Sequence, residues 1–264
     1  MTSSTVLHIT SKDNPVLQRL RKLSQDGGAY RKLGLIWLEG DHLARACLLR
    51  KYPVTQAVLT EAAAADPALR ALAEAAPRML VVPTALFKAI SGLESPAQIG
   101  FEVPHDGGQV LTPGLDSVVL DRLQDAGNVG TILRSAAALG FRQILALKGT
   151  AALWSPKVLR AGMGAHFGLR LIEGLAPEDL DALQVPMIAT SSHADAQVHR
   201  TVLPQPCAWV MGHEGQGVQP GLMQRCALTV GIPQPGGEES LNVGAAAAIC
   251  LYESARQRDS AHSR

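Results

Sequence analysis

Three glycine-marked segments carry the side chains best suited to chemistry. In LDRLQDAGNVGTILRSAAALGF, 120–141, a strand pattern runs into a Gly-Asn-x-Gly turn and then a helical pattern. Gly127 and Gly130 relieve the turn sterically, and Asn128 suits the cap of the helix that follows. Arg134 falls about two turns into that helix, among Ile132, Leu133, Ala136 and Ala137. It is either a guanidinium kept there for a purpose or a boundary residue with its stem packed and its head in water. In WVMGHEGQGVQP, 209–220, an apolar strand breaks at Gly212, and Glu214 stands between that glycine and Gly215 and Gly217. Glycines this dense let backbone groups approach a ligand closely, and a carboxylate held among them is a candidate acid, base or hydrogen-bond acceptor; a solvated turn glutamate fits the same residues. In IPQPGGEESLNVGAAAAICLYE, 232–253, a strand ends in a Gly-Gly turn, and Ser240 and Asn242 stand before an alanine-rich helix. Ser240 is the natural N-cap, and the small residues Gly244 to Ala248 allow a backbone or a flat ligand to come close.

A dinucleotide-binding turn is the obvious rival for the first segment. It requires GxGxxG after the first strand and an acidic residue at the end of the second. Here the glycines read G-N-V-G, and the second strand, QILALKG, ends in Lys148 and Gly149. The fingerprint fails.

The elements that must position these segments follow from periodicity. Strand patterns at 35–40, 56–61 and 79–83 alternate with helical ones, including alanine-rich 61–76, and describe a small α/β unit. PHDGGQVLTPG at 104–114 has the prolines and glycines of a boundary, so the expected organisation is an N-terminal domain over 1–105, a linker over 106–114 and a second domain over 115–264. In the second domain, strands at 117–123, 143–149, 169–172, 186–192, 207–212 and 227–233 alternate with helices at 128–139, 156–167, 177–184 and 241–257, which implies a mostly parallel sheet covered on both faces. Asn14 and Pro15 suit a helix start, and Val16, Leu17, Leu20 and Leu23 then share one face.

With 264 residues, 47% of them hydrophobic and 18% charged, the chain reads as a soluble globular protein. No apolar run approaches the ~20 residues that span a bilayer, and the N-terminus does not read as a secretory signal, so a cytoplasmic location is expected, with no membrane partner. Cys47, Cys207, Cys226 and Cys250 form no CxxC pair and the eight histidines no HxxxH spacing, so no metal is expected. The net charge of +1 says little about nucleic acid, but Lys12, Arg19, Arg21, Lys22, Arg31 and Lys32 face only Asp13 and Asp26. Six against two is a local excess of four, equally a solvated helix face or an RNA-backbone contact.

Taken together and in this order, the three segments resemble the motifs of the SpoU family of the knotted SPOUT methyltransferase superfamily, which modifies ribose 2′-oxygens in RNA. The resemblance spans residues 115–257; KVLRAGMGAHFGLRLI, 157–172, looks like the stretch that follows the first motif, and residues 8 to about 103 resemble, less specifically, a small ribosomal-protein-like RNA-binding domain. Departures are modest: Ala126 stands where proline is common, His213 where a small residue is, Gln234 where methionine is and Gly244 where serine is.

The resemblance implies an α/β fold with a C-terminal trefoil knot, a homodimer with the site near the subunit interface, and S-adenosylmethionine held bent, largely by backbone groups, at Gly212, Ile232 and Leu241 with Thr190 nearby. It also implies that Arg134 activates the 2′-hydroxyl or binds the adjacent phosphate, as a stabiliser of the developing alkoxide rather than a neutral base given its pKa of ~12.5 or more. Asn128, Glu214, Ser240 and Asn242 would position Arg134, the ribose and the loops. The substrate so implied is ribosomal RNA, with transfer RNA as the alternative; a knotted RNA-binding protein without turnover is a further reading, opposed by the presence of all five polar candidates.

Overall fold

A computed structural model describes residues 5–236 and 240–262 of the chain. The chain forms two compact units, one made of residues up to Gly107 together with Trp154–Phe167, the other of Gly108–Leu153 together with Gly168 onward.

The first unit begins with β1 (Thr5–His8), α1 (Pro15–Gln25) and α2 (Ala29–Leu33). Asn14 caps α1 by accepting a 2.9 Å bond from the Val16 N–H, with Pro15 at the first helical position, and Leu17, Leu20 and Leu23 are buried. There follow β2 (Leu35–Glu39), α3 (Asp41–Leu49), β3 (Gln56–Thr60), α4 (Glu61–Ala65), α5 (Pro67–Ala73), β4 (Arg78–Val82), α6 (Thr84–Ile90) and β5 (Ile99–Pro104). The alanine-rich run expected as one helix over 61–76 is two, because Pro67 has no N–H to continue it and the Asp66 carboxylate caps α5 through the N–H groups of Ala68 and Leu69. The sheet order is β1-β4-β3-β5-β2, parallel except for β5, which runs antiparallel to both neighbours.

β5 buries a carboxylate. Glu102 is fully inaccessible, takes a two-pronged contact from Arg19 at 2.9 and 3.0 Å, and accepts a 3.1 Å bond from Gln56 Nε2. Arg19, grouped with the RNA-facing side chains on charge alone, is thus spent on a buried anion, and Arg21 donates to the Ala89 carbonyl. Arg19→Ala strands that charge, and a loss of about 3 kcal/mol from the first unit is expected in urea unfolding; Arg21→Ala, on the exposed side, should cost under about 1 kcal/mol.

In the second unit the chain forms β6 (Ser117–Leu120), α7 (Ala126–Ala138) and β7 (Gln143–Leu147). It then leaves: α8 (Pro156–Gly162) and the turn after it pack in the first unit, where Trp154 and Phe167 lie 6.1 and 5.2 Å from the Tyr52 ring, centroid to centroid, and Trp154 5.1 Å from His166. Gly164 allows this, since a Cβ on it would fall 2.4 Å from the Ala46 methyl. On return come β8 (Arg170–Leu175), a 3₁₀ turn at Pro177–Leu183 where an α-helix was expected, β9 (Met187–Thr190), β10 (Ala208–Met211), α9 (Pro220–Met223), β11 (Leu228–Val230) and α10 (Val243–His262).

These six strands form an entirely parallel sheet, β11-β9-β10-β6-β7-β8. Val119, Leu145, Ile172, Ala189 and Val210 build the core on one face. On the other, the fully buried Trp209 directs its indole N–H to Ser254 Oγ of α10 at 2.8 Å, and α10 runs against α7. Arg258 pins the far end of α10 through an ion pair to Asp116, a bond to the Leu139 carbonyl and a place over the Phe141 ring. Among the described residues, no helix is long and apolar enough to cross a membrane and no cluster of side chains is suited to a metal ion.

Candidate active site

Parallel strands end on the same side of a sheet, and the loops that follow them meet there. The loops after β6 and β10 and the start of α10 converge in this way. The Glu214 carboxylate accepts from the backbone N–H groups of Asp125 at 3.1 Å and Gln124 at 3.3 Å and from Asn128 Nδ2 at 3.3 Å. Asn128 Oδ1 accepts from Asn242 Nδ2 at 2.9 Å, and Asn242 Oδ1 in turn accepts from the N–H groups of Gly244 and Ala245 at 2.9 and 3.2 Å. A carboxylate can only accept and a helix N-terminus can only donate, so the orientation of both amides between them is forced. One polar chain therefore ties all three sequence segments together.

This geometry moves two caps. Asp125, not Asn128, caps α7, accepting the Asn128 N–H at 2.7 Å, which frees the Asn128 side chain to reach Glu214 and Asn242. Asn242, immediately ahead of α10, holds the first N–H groups of that helix, so Ser240 is not its cap. Ser240 instead lines a cavity.

That cavity, of about 500 Å³, is walled by Thr190, Ser191, the 212–218 turn, Ile232, Gln234, Ser240, Leu241 and Val243. It brings together Thr190, Gly212, Ile232 and Leu241, the four positions expected to touch a cofactor. At the turn the wall is backbone, since a Cβ on Gly212 would lie 2.2 Å from the Gly217 carbonyl carbon and the Val218 nitrogen; Gly231, where a Cβ would press on the carbonyls of Ser191 and Ala194, lines a second cavity that shares Ile232, Gln234 and Ser240. Gln234 Oε1 is buried here with no hydrogen-bond partner among the described residues, an acceptor suited to a ligand. A compact nucleoside with amino donors and an apolar ring fits this donor set.

Burial pushes the Glu214 pKa up, but bonds from its own N–H, the Asp125 N–H, the Asn128 amide and the Gln124 N–H outweigh it, and the net position is below the usual carboxylate range. A lowered folded-state pKa contributes stability that is complete above the ordinary glutamate value and is lost as pH falls through the folded one. The contribution of Glu214 to stability should therefore be flat from neutral pH down to the carboxylate range and be lost below it. Glu214→Gln should lack that acid limb in thermal midpoints measured across pH, and should bind ligand more weakly by about tenfold at neutral pH in calorimetry.

Arg134 is outside the polar chain. It lies on the exposed side of α7, about 9 Å along the axis from Asn128, and among the described residues has no hydrogen bond or ion pair. One turn before it, Thr131 packs at the start of α10, its methyl 3.1 Å from where a Cβ on Gly244 would be. Of the basic residues in the first unit, Arg31 lies over the Tyr30 ring, whereas Lys12, Lys22 and Lys32 are exposed. Sequence reasoning passed over Asp121, Asp125, Gln219 and Arg122. Asp121 carried a signal, an acidic residue at the end of the first strand of a parallel sheet.

Comparison with known proteins gives a consistent set of likenesses. The model of the SpoU rRNA Methylase family matches residues 117–252. An uncharacterised tRNA/rRNA methyltransferase of Synechocystis sp. is 32% identical over 97% of this chain and 96% of its own. The 23S rRNA (guanosine(2553)-2′-O)-methyltransferase of Bacillus subtilis is 32% identical over 63% of this chain and 68% of its own. Among solved structures, an AdoMet-bound rRNA methyltransferase from Sinorhizobium meliloti superposes with a TM-score of 0.80 at 26% identity, covering 96% of this chain and 98% of that one.

Proposed function

This chain belongs to the SpoU rRNA methylase family and is an S-adenosylmethionine-dependent RNA ribose 2′-O-methyltransferase, and from that premise we propose that its substrate is a 2′-hydroxyl of 23S-type ribosomal RNA rather than of transfer RNA. The observation that carries the reading is the junction of the Glu214–Asn128–Asn242 chain with the backbone-walled cavity. The ribosomal assignment leans on the Bacillus subtilis relative, which acts on 23S rRNA, and on the accompanying N-terminal unit.

When bound, S-adenosylmethionine supplies an electrophilic methyl group on a sulfonium. The chain's own task is to bring a ribose oxygen into line with that methyl and to stabilise the charge the oxygen develops. Arg134, whose guanidinium has no partner among the described residues, takes that second role, stabilising the alkoxide or holding the neighbouring phosphate. Glu214, Asn128 and Asn242 keep the three loops in register, and Ser240 offers a hydroxyl at the cavity edge. Thr190, Gly212, Ile232 and Leu241 form the cofactor cradle, with Gln234 Oε1 as an acceptor for an amino group. Lys12, Lys22, Lys32, Arg21 and Arg31 provide the RNA-backbone contacts of the N-terminal unit, which we read as ribosomal-protein-like.

The same reading includes a trefoil knot in the second unit, supported by the tight approach of Gly212 to the 217–218 backbone and by the parallel bridge between Gln197 and Gly231. It includes a homodimer, supported by the exposed Ile249 and Tyr252 on α10 beside the exposed side of α7 that bears Arg134. The cytoplasm, where ribosomal RNA is modified in bacteria, is its proposed place, with no metal required.

The test is transfer of radiolabelled methyl from S-adenosylmethionine to total RNA from cells lacking the protein, followed by nuclease digestion and nucleoside analysis. Label in a 2′-O-methylnucleoside of the large ribosomal RNA is expected. Label in transfer RNA would overturn the substrate, label in a base would overturn the ribose, and cofactor binding without transfer would favour a catalytically silent RNA-binding protein.

A further inference from the structure

Arg122 has φ +59°, a left-handed backbone conformation that an L side chain adopts only at a cost. A non-glycine residue kept in that region beside an active site calls for a compensating contact, and Arg122 has two. Its Nε donates to Asp121 Oδ1 at 3.0 Å, and its Nη1 donates across to Gln216 Oε1 at 2.9 Å, in the turn that walls the cavity. Asp121 is fully buried at the end of β6 and also accepts from the N–H and the side-chain amide of Gln219, both at 2.7 Å. The side-chain stem is guided as well: a Cβ on Gly149 would sit 3.3 Å from Arg122 Cγ, so the methylenes lie in a space that glycine leaves open.

The turn at 212–218 is therefore held at three points, by Glu214 on the backbone ahead of α7, by Gln219 on Asp121, and by Gln216 on Arg122. Two of those holds anchor at the end of the same strand. We infer that Arg122 is a positioning residue, a strained strut from the end of β6 that keeps the 212–218 turn in its cofactor-binding shape. The inference rests on the methyltransferase reading of the site. A left-handed backbone is the geometry that aims the guanidinium along its own loop toward Gln216 while Nε stays on Asp121, and a planar fork makes both contacts at once. Glycine would carry no penalty at this φ, but it would leave the buried Asp121 carboxylate without its cation and Gln216 without its donor.

In the full-length protein, Arg122→Gly should weaken S-adenosylmethionine binding about 5- to 10-fold in calorimetry, the loss of one charge-assisted hydrogen bond, and should lower the thermal midpoint of the ligand-free protein, because the buried Asp121 loses its cation. Gln216→Ala leaves the Asp121 pair intact, so it should weaken binding to the same extent with the midpoint level, and the double variant should bind no more weakly than Arg122→Gly alone. Unchanged affinity in either single variant would overturn the inference, as would additive losses of affinity in the double variant. Failure of the unmodified protein to bind S-adenosylmethionine would overturn the function itself, and the strut with it.

Discussion

Arg134→Ala loses methyl transfer by about 10²- to 10⁴-fold in single-turnover assays, while S-adenosylmethionine affinity stays within about twofold of the unmodified protein. The size follows from the chemistry: an alcohol oxygen attacking a sulfonium methyl must shed its proton, and a positioned cation is what makes the developing alkoxide tolerable. The selectivity follows from the structure. The Arg134 side chain is exposed on α7, outside the cavity wall and the Glu214–Asn128–Asn242 chain, so removing it leaves no buried group unpaired, and exposed substitutions of that kind change stability by about 0.5 kcal/mol or less. Arg134→Lys keeps the charge but not the planar fork and should fall between the two. An alanine variant with full turnover would remove Arg134 from the chemistry and leave the cofactor cradle intact as a reading.

Gly212→Ala should be worse for a different reason. Its Cβ would lie 2.2 Å from two backbone atoms and 2.7 Å from the Gly217 oxygen, and backbone cannot rotate away as a side chain could. Nor can the turn retreat, because His213 and Gly217 exchange hydrogen bonds of 3.0 and 2.8 Å and Gln219 is held on Asp121. Overpacking of this severity costs about 3 kcal/mol, or a thermal midpoint lower by about 5–10 °C in a unit of this size. Because the displaced backbone is itself the cavity wall, S-adenosylmethionine binding should weaken by more than about 100-fold. Binding at wild-type affinity in Gly212→Ala would mean that the ligand does not use this turn.

These variants differ in how far sequence alone could anticipate them. The glycines at 212, 215 and 217 and the carboxylate between them are legible because glycine density and residue type are local properties. So are the cap and amphipathic face of α1 and the alternation that gives a parallel sheet, since periods of two and of about 3.6 are written residue by residue. β5 was illegible: IGFEVP has no clean alternation, because it is buried on both faces between β2 and β3 and carries the buried Glu102. The caps at 125 and 242 were misassigned to Asn128 and Ser240 because several residues in each loop could cap, and only the partner loop decides which one is free to do so. Arg19 looked like part of a basic face because charge counting cannot see a carboxylate 83 residues away.

By itself, then, the sequence determined the chemical inventory of this protein: three glycine-marked loops, their carboxylate, amides and arginine, and the order of strands and helices that would carry them, together with the family those motifs belong to. The tertiary structure decided what each group does, because hydrogen-bond partners, burial and close backbone approach are relations between distant residues. Residues 154–167 pack in the first unit although they lie within the stretch expected for the second. Glu214 becomes a hub because β6 and β10 are parallel neighbours that end together. Arg122, unremarkable in the sequence, acquires a role only when a left-handed backbone and the turn beyond Gly212 place Gln216 within reach of its guanidinium.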